Sequence, residues 1–296
     1  MATITIFTPT YNRAYTLPKL YTSLCRQSSM DFEWLIVDDG STDNTRHLVQ
    51  AWQQVAPFAI RYYWQPNGGK MRAHNRGVQF CSTPYFICID SDDFADEHCV
   101  EQILSQHSFM EQHEEVIGII AHRAIRHKDG QYHVARQFPM TGLTQLSTLE
   151  RMGYRGESAL LFKTELLRRY PFPEIEGEKF ISEVYIYRQI DRDFQFLAMQ
   201  EIWNYCQYMD DGYTHNVRRI IRQNPKGFAL LFLQRAQFCP EKLSIEKVGY
   251  IIRYFIFSRL SGTEPNHKEV GLSPFLFKVL WIASYIVAVL FNYPKR

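Results

Sequence analysis

The chain has 296 residues, of which 46% are hydrophobic, 15% aromatic and 22% charged, with 15 Gly and 13 Pro. That composition excludes a disordered, collagen-like or low-complexity protein and suffices for one large domain or two modest ones. The net charge of +2 gives no global reason to expect nucleic acid as a partner, but residues 217–296 carry +9 and residues 1–216 carry −7, an asymmetry that points to contact with an anionic surface such as a membrane.

From residue 3 to about 123, short β-branched and aromatic runs alternate with helix-length amphipathic stretches. The runs Ile4–Thr8, Trp34–Val37, Ile60–Trp64, Tyr85–Ile89 and Val116–Ala121 read as five strands, with helical spacing at Leu17–Leu24 and Thr45–Trp52. This is the signature of an α/β fold with a mostly parallel sheet. Tyr62, Tyr63 and Trp64 read as part of a buried strand rather than as a sugar platform. Residues 124–216 are less periodic, with a helix expected at Ser182–Ile190, strand-like runs at Phe194–Ala198 and Ile202–Tyr208, and turns at Lys128–Gly130 and Asp210–Gly212. From Val217 the pattern is helical: Val217–Cys239, Ser244–Leu260 and Pro274–Tyr293.

The six cysteines show no CxxC pair and no zinc-ligand spacing, so they read as buried thiols of a reducing compartment. The first seven residues have no basic stretch ahead of their apolar ones, and no signal peptide is expected there. The expected location is therefore cytoplasmic.

Three polar turns follow strands and can converge at one sheet edge: Thr8-Pro9-Thr10-Tyr11-Asn12, Asp38-Asp39-Gly40-Ser41 and Asp90-Ser91-Asp92-Asp93. Crowded carboxylates at a strand end repel one another unless a cation or donors compensate, and hard oxygen ligands suit Mg²⁺ or Mn²⁺ held together with a substrate diphosphate. A helix cap explains one of these aspartates but not three. In Asn67-Gly68-Gly69-Lys70-Met71-Arg72-Ala73-His74-Asn75-Arg76-Gly77 the glycines permit close backbone approach, and Lys70, Arg72 and Arg76 can serve diphosphate charge. Neither a Walker loop nor GxGxxG is present, which disfavours ATP and NAD. His74 and His98 read as ordinary polar residues rather than metal ligands.

These four segments, in this order and spacing, resemble the family-2 glycosyltransferases of the GT-A fold, strongly over residues 1–125 and loosely over 150–215, with a branch common in bacterial surface-polysaccharide clusters. The resemblance implies an inverting, metal-dependent transfer from a nucleotide-sugar, preferably a UDP-sugar, to a hydroxyl of a glycan or lipid-linked glycan. It implies that Thr10 and Tyr11 flank the base, that Asp39 accepts from uracil and that Asp90 lies near ribose and diphosphate. Pro9, Arg13, Lys70, Asn75 and Ser91 complete the nucleotide-sugar set. Asp92 would bind Mn²⁺ or Mg²⁺, with Asp90 or Asp93 as further ligands. The catalytic base in relatives is an acid near a helix start in the second half, often in a Glu-Asp pair. That pair is missing here, so Glu183 is the candidate and Glu178 the alternative. Trp203 and Tyr208 are placed by the same analogy for acceptor contact. The competing reading is a noncatalytic nucleotide-sugar-binding or assembly protein.

The expected organisation is a GT-A domain over 1–216, divided into a nucleotide-sugar half (1–123) and an acceptor half (124–216), then a basic helical region over 217–296. Val279–Phe291 contains thirteen residues without a charge, flanked by Lys278 and Lys295-Arg296, with Trp281, Tyr285 and Tyr293 as interfacial aromatics. That is short for a membrane span. The expectation is a helical anchor lying on the inner face of the cell membrane; its alternatives are a helix packed on the body and a homodimer interface.

Overall fold

The computed structural model describes residues 2–207, 209, 216–241 and 243–290, and of Leu290 the backbone alone. Two compact units divide the chain: Met1–Phe172 with Ile186–Asp210, and Pro173–Tyr185 with Asp211–Arg296. This partition differs from a single boundary near residue 216, because residues 173–185 leave the first unit and group with the C-terminal helices.

The first unit runs β1 (Ile4–Thr10), α1 (Leu17–Leu24), β2 (Phe32–Asp38), α2 (Thr45–Trp52), β3 (Ala59–Trp64), α3 (Lys70–Phe80), β4 (Tyr85–Cys88), β5 (Phe94–Ala95), α4 (Cys99–Ser105), α5 (His107–Gln112), β6 (Val116–Arg126), β7 (Tyr132–His133), β8 (Gly142–Thr144), α6 (Leu146–Arg151), β9 (Ser158–Lys163) and α7 (Thr164–Leu167). Then α8 (Val184–Asp193) crosses the unit boundary after Tyr185, and β10 (Gln195–Cys206) completes the sheet. Strand order is β3-β2-β1-β4-β9-β6-β10-β5, with β7 on β6 and β8 on β10. The strands β3, β2, β1 and β4 are all mutually parallel, and antiparallel β9 joins them to the parallel pair β6 and β10.

All seven residues of β1 and of β2 are buried, as expected of central strands covered on both faces. On one face Ile4, Ile6 and Trp34 pack with Leu17, Leu20 and Leu24, which recur at helical spacing along α1. On the other, Phe7, Leu35 and Val37 pack with Ala73 and Val78 of α3. Gly77 lets α3 come this close, since a Cβ there would lie 2.4 Å from the Phe7 ring. The register pairs Thr10 with Asp38 and Asp38 with Trp64, so three strands end level at one edge.

Four local expectations are revised. The edge position of β3 leaves it only partly covered, and Trp64 is 44% exposed. The two strand-like runs merge into one strand, β10 (Gln195–Cys206), whose register shifts between Ala198 and Ile202. Trp203 is fully buried in the core rather than open to an acceptor, whereas Tyr208 and the turn Asp210–Gly212 lie outside the described residues. The Asp90–Asp93 turn leads into β5, not into a helix.

The second unit contains α9 (Val217–Gln223), α10 (Pro225–Phe238), α11 (Ile245–Ser261) and α12 (Pro274–Leu290). A single helix over 217–239 is interrupted because Pro225 cannot donate and pushes Asn224 out of helical geometry, to φ −134° and ψ 49°. Ser244 caps α11 by accepting from the Lys247 N–H at 3.1 Å, and Gly262 ends it at φ 71°. Ile251, Phe255 and Phe257 form the centre of this unit's core, with Phe277 and Trp281 of α12 packed against it. Among the described residues no helix is long and apolar enough to cross a membrane.

Candidate active site

The loops after β1 and β2 are stapled together. Asn12 takes the left-handed conformation (φ 52°), its N–H donates to Ser41 Oγ at 2.8 Å, and its Oδ1 accepts from the Thr42 N–H at 2.8 Å. Asp43 accepts from the Ala14 N–H and from Thr45, bonds that draw its carboxyl below the usual range against the opposing effect of burial. Pro9 and Thr10 are buried in β1, Tyr11 is 48% exposed, and Arg13 donates to the Tyr15 hydroxyl at 2.6 Å. Thr10 Oγ1 is buried with no hydrogen-bond partner among the described residues.

Asp38 and Asp39 are buried and committed to the protein itself. Asp38 accepts from the Ser41 N–H at 2.7 Å and the Tyr62 hydroxyl at 2.5 Å. Asp39, expected to accept from the base, accepts from Gln65 Nε2, Asn67 Nδ2 and the N–H groups of Gly68 and Gly69 at 2.7, 3.1, 2.8 and 2.7 Å. Four donors fill a carboxylate's acceptor positions, so a uracil N–H reaches Asp39 only by displacing one of them. Its visible work is to anchor the turn that starts α3.

That turn delivers Lys70, whose Nζ lies 2.8 and 2.9 Å from the two oxygens of Asp90. Burial raises the Asp90 pKa, but Lys70 and Arg123 outweigh it and hold the carboxyl below its ordinary value. Asp92 has the opposite setting: burial, then the Asp90 charge, lift it above the ordinary range. No hydrogen bond or ion pair from another described residue holds the Asp92 carboxylate. Ser91 is buried beside them.

Three expected site residues have other duties. Asn75 exchanges two 2.8 Å hydrogen bonds with the Phe172 backbone, tying α3 to a remote segment instead of facing a nucleotide. Asp93 is 1% exposed and accepts from Arg123 at 2.5 Å and Asn204 at 3.1 Å, so it is a buried ion-pair partner and not an alternative metal ligand. Burial lifts its carboxyl to about 7, with Arg123 pulling the other way. Glu178, the alternative base, accepts from the Lys226 and Gly227 N–H groups at 2.7 and 2.8 Å and so caps α10. Glu183 stands just before α8, in the second unit. His74 lies edge-on to Phe7, Phe86 and Phe172, where burial and the Lys70 charge push its pKa down to about 3 and keep it neutral.

Arg123 of β6 joins this cluster, and its one signal in the sequence is an arginine within the apolar run of Val116–Arg126. It reaches Asp93, Asp90 at 3.8 Å and Glu157 at 3.5 Å.

A divalent cation fits this donor set in one way. Among the described residues no three or more His, Cys, Asp or Glu side chains gather as a self-sufficient metal site. Asp92, with Asp90 beside it, offers the one or two carboxylates that Mg²⁺ or Mn²⁺ uses when substrate phosphates supply the remaining oxygens. Burial and the Asp90 charge, which together raise Asp92, are what such a cation would offset.

The mostly parallel sheet, covered on both faces and followed by helices, is a GT-A-like α/β fold, with a paired-carboxylate turn and a lysine-bearing helix start at one edge. The family model of Glycosyl transferase family 2 matches residues 5–172, and the chain belongs to that family. It is 33% identical over 109 residues to a validoxylamine A glucosyltransferase of Streptomyces hygroscopicus subsp. jinggangensis, covering 36% of this chain and 25% of that protein. It is 34% identical over 103 residues to the chondroitin synthase of Pasteurella multocida, covering 35% of this chain and 11% of that one. The chain thus spans a quarter or less of the length of these two relatives. S. aureus TarS 1–349 in complex with UDP-GlcNAc superposes with a TM-score of 0.61 at 16% identity, over 96% of this chain and 79% of that one. A mannosyltransferase from Pyrobaculum calidifontis, in complex with GDP-Man and Mn²⁺, gives 0.55 at 15% identity, over 98% and 88%.

Proposed function

We propose that this glycosyltransferase moves a sugar, with inversion, from a UDP-sugar to a hydroxyl of a glycan or lipid-linked glycan in bacterial surface polysaccharide synthesis. The observation that carries the reading is the carboxylate pair after β4, Asp90 bound to Lys70 and Asp92 held by no hydrogen bond or ion pair from another described residue, at the sheet edge where β1 and β2 end. Tyr11, half exposed, and Thr10, whose buried hydroxyl has no hydrogen-bond partner among the described residues, are the residues proposed to flank the base. The UDP-GlcNAc complex of TarS supports the UDP preference, and the Mn²⁺ in the mannosyltransferase supports a divalent cation.

In the proposed reaction the acceptor oxygen bonds to the anomeric carbon as the bond to the diphosphate oxygen breaks, and that electron pair leaves with the nucleoside diphosphate. The acceptor proton passes to Glu183, a step worth about 10²–10⁴-fold when the base is within hydrogen-bond reach. A bound Mg²⁺ or Mn²⁺ on Asp92 would neutralise charge on the departing diphosphate. Asp39 holds the turn of α3 so that Lys70 stands against Asp90.

The test is nucleoside diphosphate release from a panel of UDP-, GDP- and dTDP-sugars with Mn²⁺ or Mg²⁺, with and without EDTA. Metal-dependent release from a UDP-sugar is expected. Nucleotide binding without release, even with glycan acceptors supplied, would replace this reading with a noncatalytic nucleotide-sugar-binding protein. Asp92→Asn is expected to abolish transfer while the variant still unfolds cooperatively at the wild-type temperature; near-normal turnover would remove the metal assignment.

The proposed location is peripheral, on the inner face of the cell membrane, through α12. Phe275, Val279, Ile282, Ile286 and Val289 are all exposed and recur every three or four residues along it. Arg259 stacks 3.4 Å over Trp281 of this helix, which places a cation next to the apolar face.

A further inference from the structure

The segment that carries Glu183 is fastened to the C-terminal helices by a reciprocal pair of caps. The Glu178 carboxylate takes the two N–H groups that open α10, a task that Asn224 at the N-cap position leaves undone. Asn224 turns its side chain the other way. Its Oδ1 accepts from the Lys179 and Phe180 N–H groups at 2.8 and 3.0 Å, and its Nδ2 donates to the Ile220 carbonyl at the end of α9 at 2.8 Å. Both side chains are buried, at 7% and 5% exposure, so these bonds are made out of water. Gly227 permits the approach, because a Cβ there would lie 2.6 Å from the Phe180 carbonyl oxygen. The Phe180 ring stacks on Phe228, and Ile181 is buried next in the chain. Two residues on, Glu183 precedes the first turn of α8, where Ser182 Oγ accepts from the Val184 N–H at 3.4 Å.

We propose that Asn224, Glu178 and Gly227 are positioning residues for the acceptor base, so that the basic C-terminal helices take part in turnover as the mount of Glu183. This rests on Glu183 being the base. The residues assigned to donor and metal, Thr10, Lys70, Asp90 and Asp92, all belong to the other unit, whereas the clamp and Glu183 belong to this one. A loosened clamp therefore lowers kcat and leaves donor binding alone.

The test uses the full chain with the UDP-sugar that the donor panel selects and the glycan acceptors supplied with it. Asn224→Leu removes both halves of one cap, Gly227→Ala drives a methyl into the Phe180 carbonyl, and Asn224→Asp keeps the acceptor oxygen. For each variant kcat, the donor KM, the UDP Kd by calorimetry and the unfolding temperature are measured. An ångström-scale displacement of a catalytic group costs about 10²-fold, so Asn224→Leu and Gly227→Ala are expected to lose about that much kcat with donor KM and UDP Kd unchanged. Asn224→Asp is expected to recover most of it. Wild-type kcat in Asn224→Leu and Gly227→Ala would overturn the proposal. Joint loss of cooperative unfolding and UDP binding would also overturn it, by making the clamp a general support of the fold. Glu183→Gln separates the two claims: if it keeps full kcat, the base assignment falls and the clamp's role with it. If it is inactive while the clamp variants are normal, only the clamp proposal falls.

Discussion

Four acidic side chains near the ends of strands and helices differ in what their neighbours leave them free to do. Asp90 is held charged by Lys70, Asp92 is lifted by its neighbours, and Asp93 and Glu178 are spent inside the protein. Arg123→Met would leave Asp93 buried beside Asn204 without its cation, and the expected loss is about 3–5 kcal/mol in urea unfolding; Arg123→Lys should lose less. His74 supplies a pH test. Its folded pKa of about 3 lies below the unfolded value, so the unfolded chain binds the extra proton and stability falls as pH drops from about 6.5 towards 3. The slope is up to about 1.4 kcal/mol per pH unit. Asp93, raised to about 7, acts in the opposite sense, its contribution being lost as pH rises through that window. The difference between wild type and His74→Phe therefore isolates the histidine: between pH 7 and pH 5 the denaturant midpoint of the wild type should fall relative to that of the variant.

Among the elements, the regular ones were legible because each buries a face that its own periodicity declares. Leu17–Leu24 and Thr45–Trp52 are helices over those same residues, and the five strand runs of the first half are all strands. The elements that differed owe their form to partners. The short β5 exists through its pairing with β10, and β3 is partly exposed because no strand lies beyond it. The join between β6 and β9 depends on Gly118, where a Cβ would lie 1.8 Å from the Leu161 carbonyl oxygen. That obstacle is sheet backbone, which cannot swing aside. Gly118→Ala is expected to cost about 1–3 kcal/mol or more, as overpacking does, measured as a lowered denaturant midpoint with an unchanged m-value.

On the scale of the whole molecule, the proposed donor edge belongs to the first unit, and the Glu183 segment, the basic helices and the apolar stripe of α12, the proposed membrane contact, belong to the second. Because the stripe is exposed, charging it need not disturb the core that Phe277 and Trp281 complete. The triple change Val279→Asp, Ile282→Asp and Ile286→Asp is expected to abolish sedimentation with vesicles containing anionic lipid, leaving the unfolding temperature within a few degrees of wild type. Unchanged sedimentation would remove α12 as the membrane contact. A fall in native mass by half, without any vesicle effect, would assign the stripe to a second copy of the chain.

Local sequence determined the order of strands and helices, the three polar turns at one sheet edge and the basic, aromatic character of the C-terminal end, because each is written in neighbouring residues. Tertiary structure alone decided which polar groups remain available. Asn75 is claimed by Phe172, 97 positions away; Asp93 by Arg123, 30 away; and Glu178 by Lys226, 48 away. A buried polar group must find a partner wherever the fold supplies one, and nothing local distinguishes an aspartate that will be paired from one left open to a ligand. The same reason moved residues 173–185 into the second unit: their backbone N–H groups and the first turn of α10 satisfy one another's hydrogen bonds through Asn224 and Glu178.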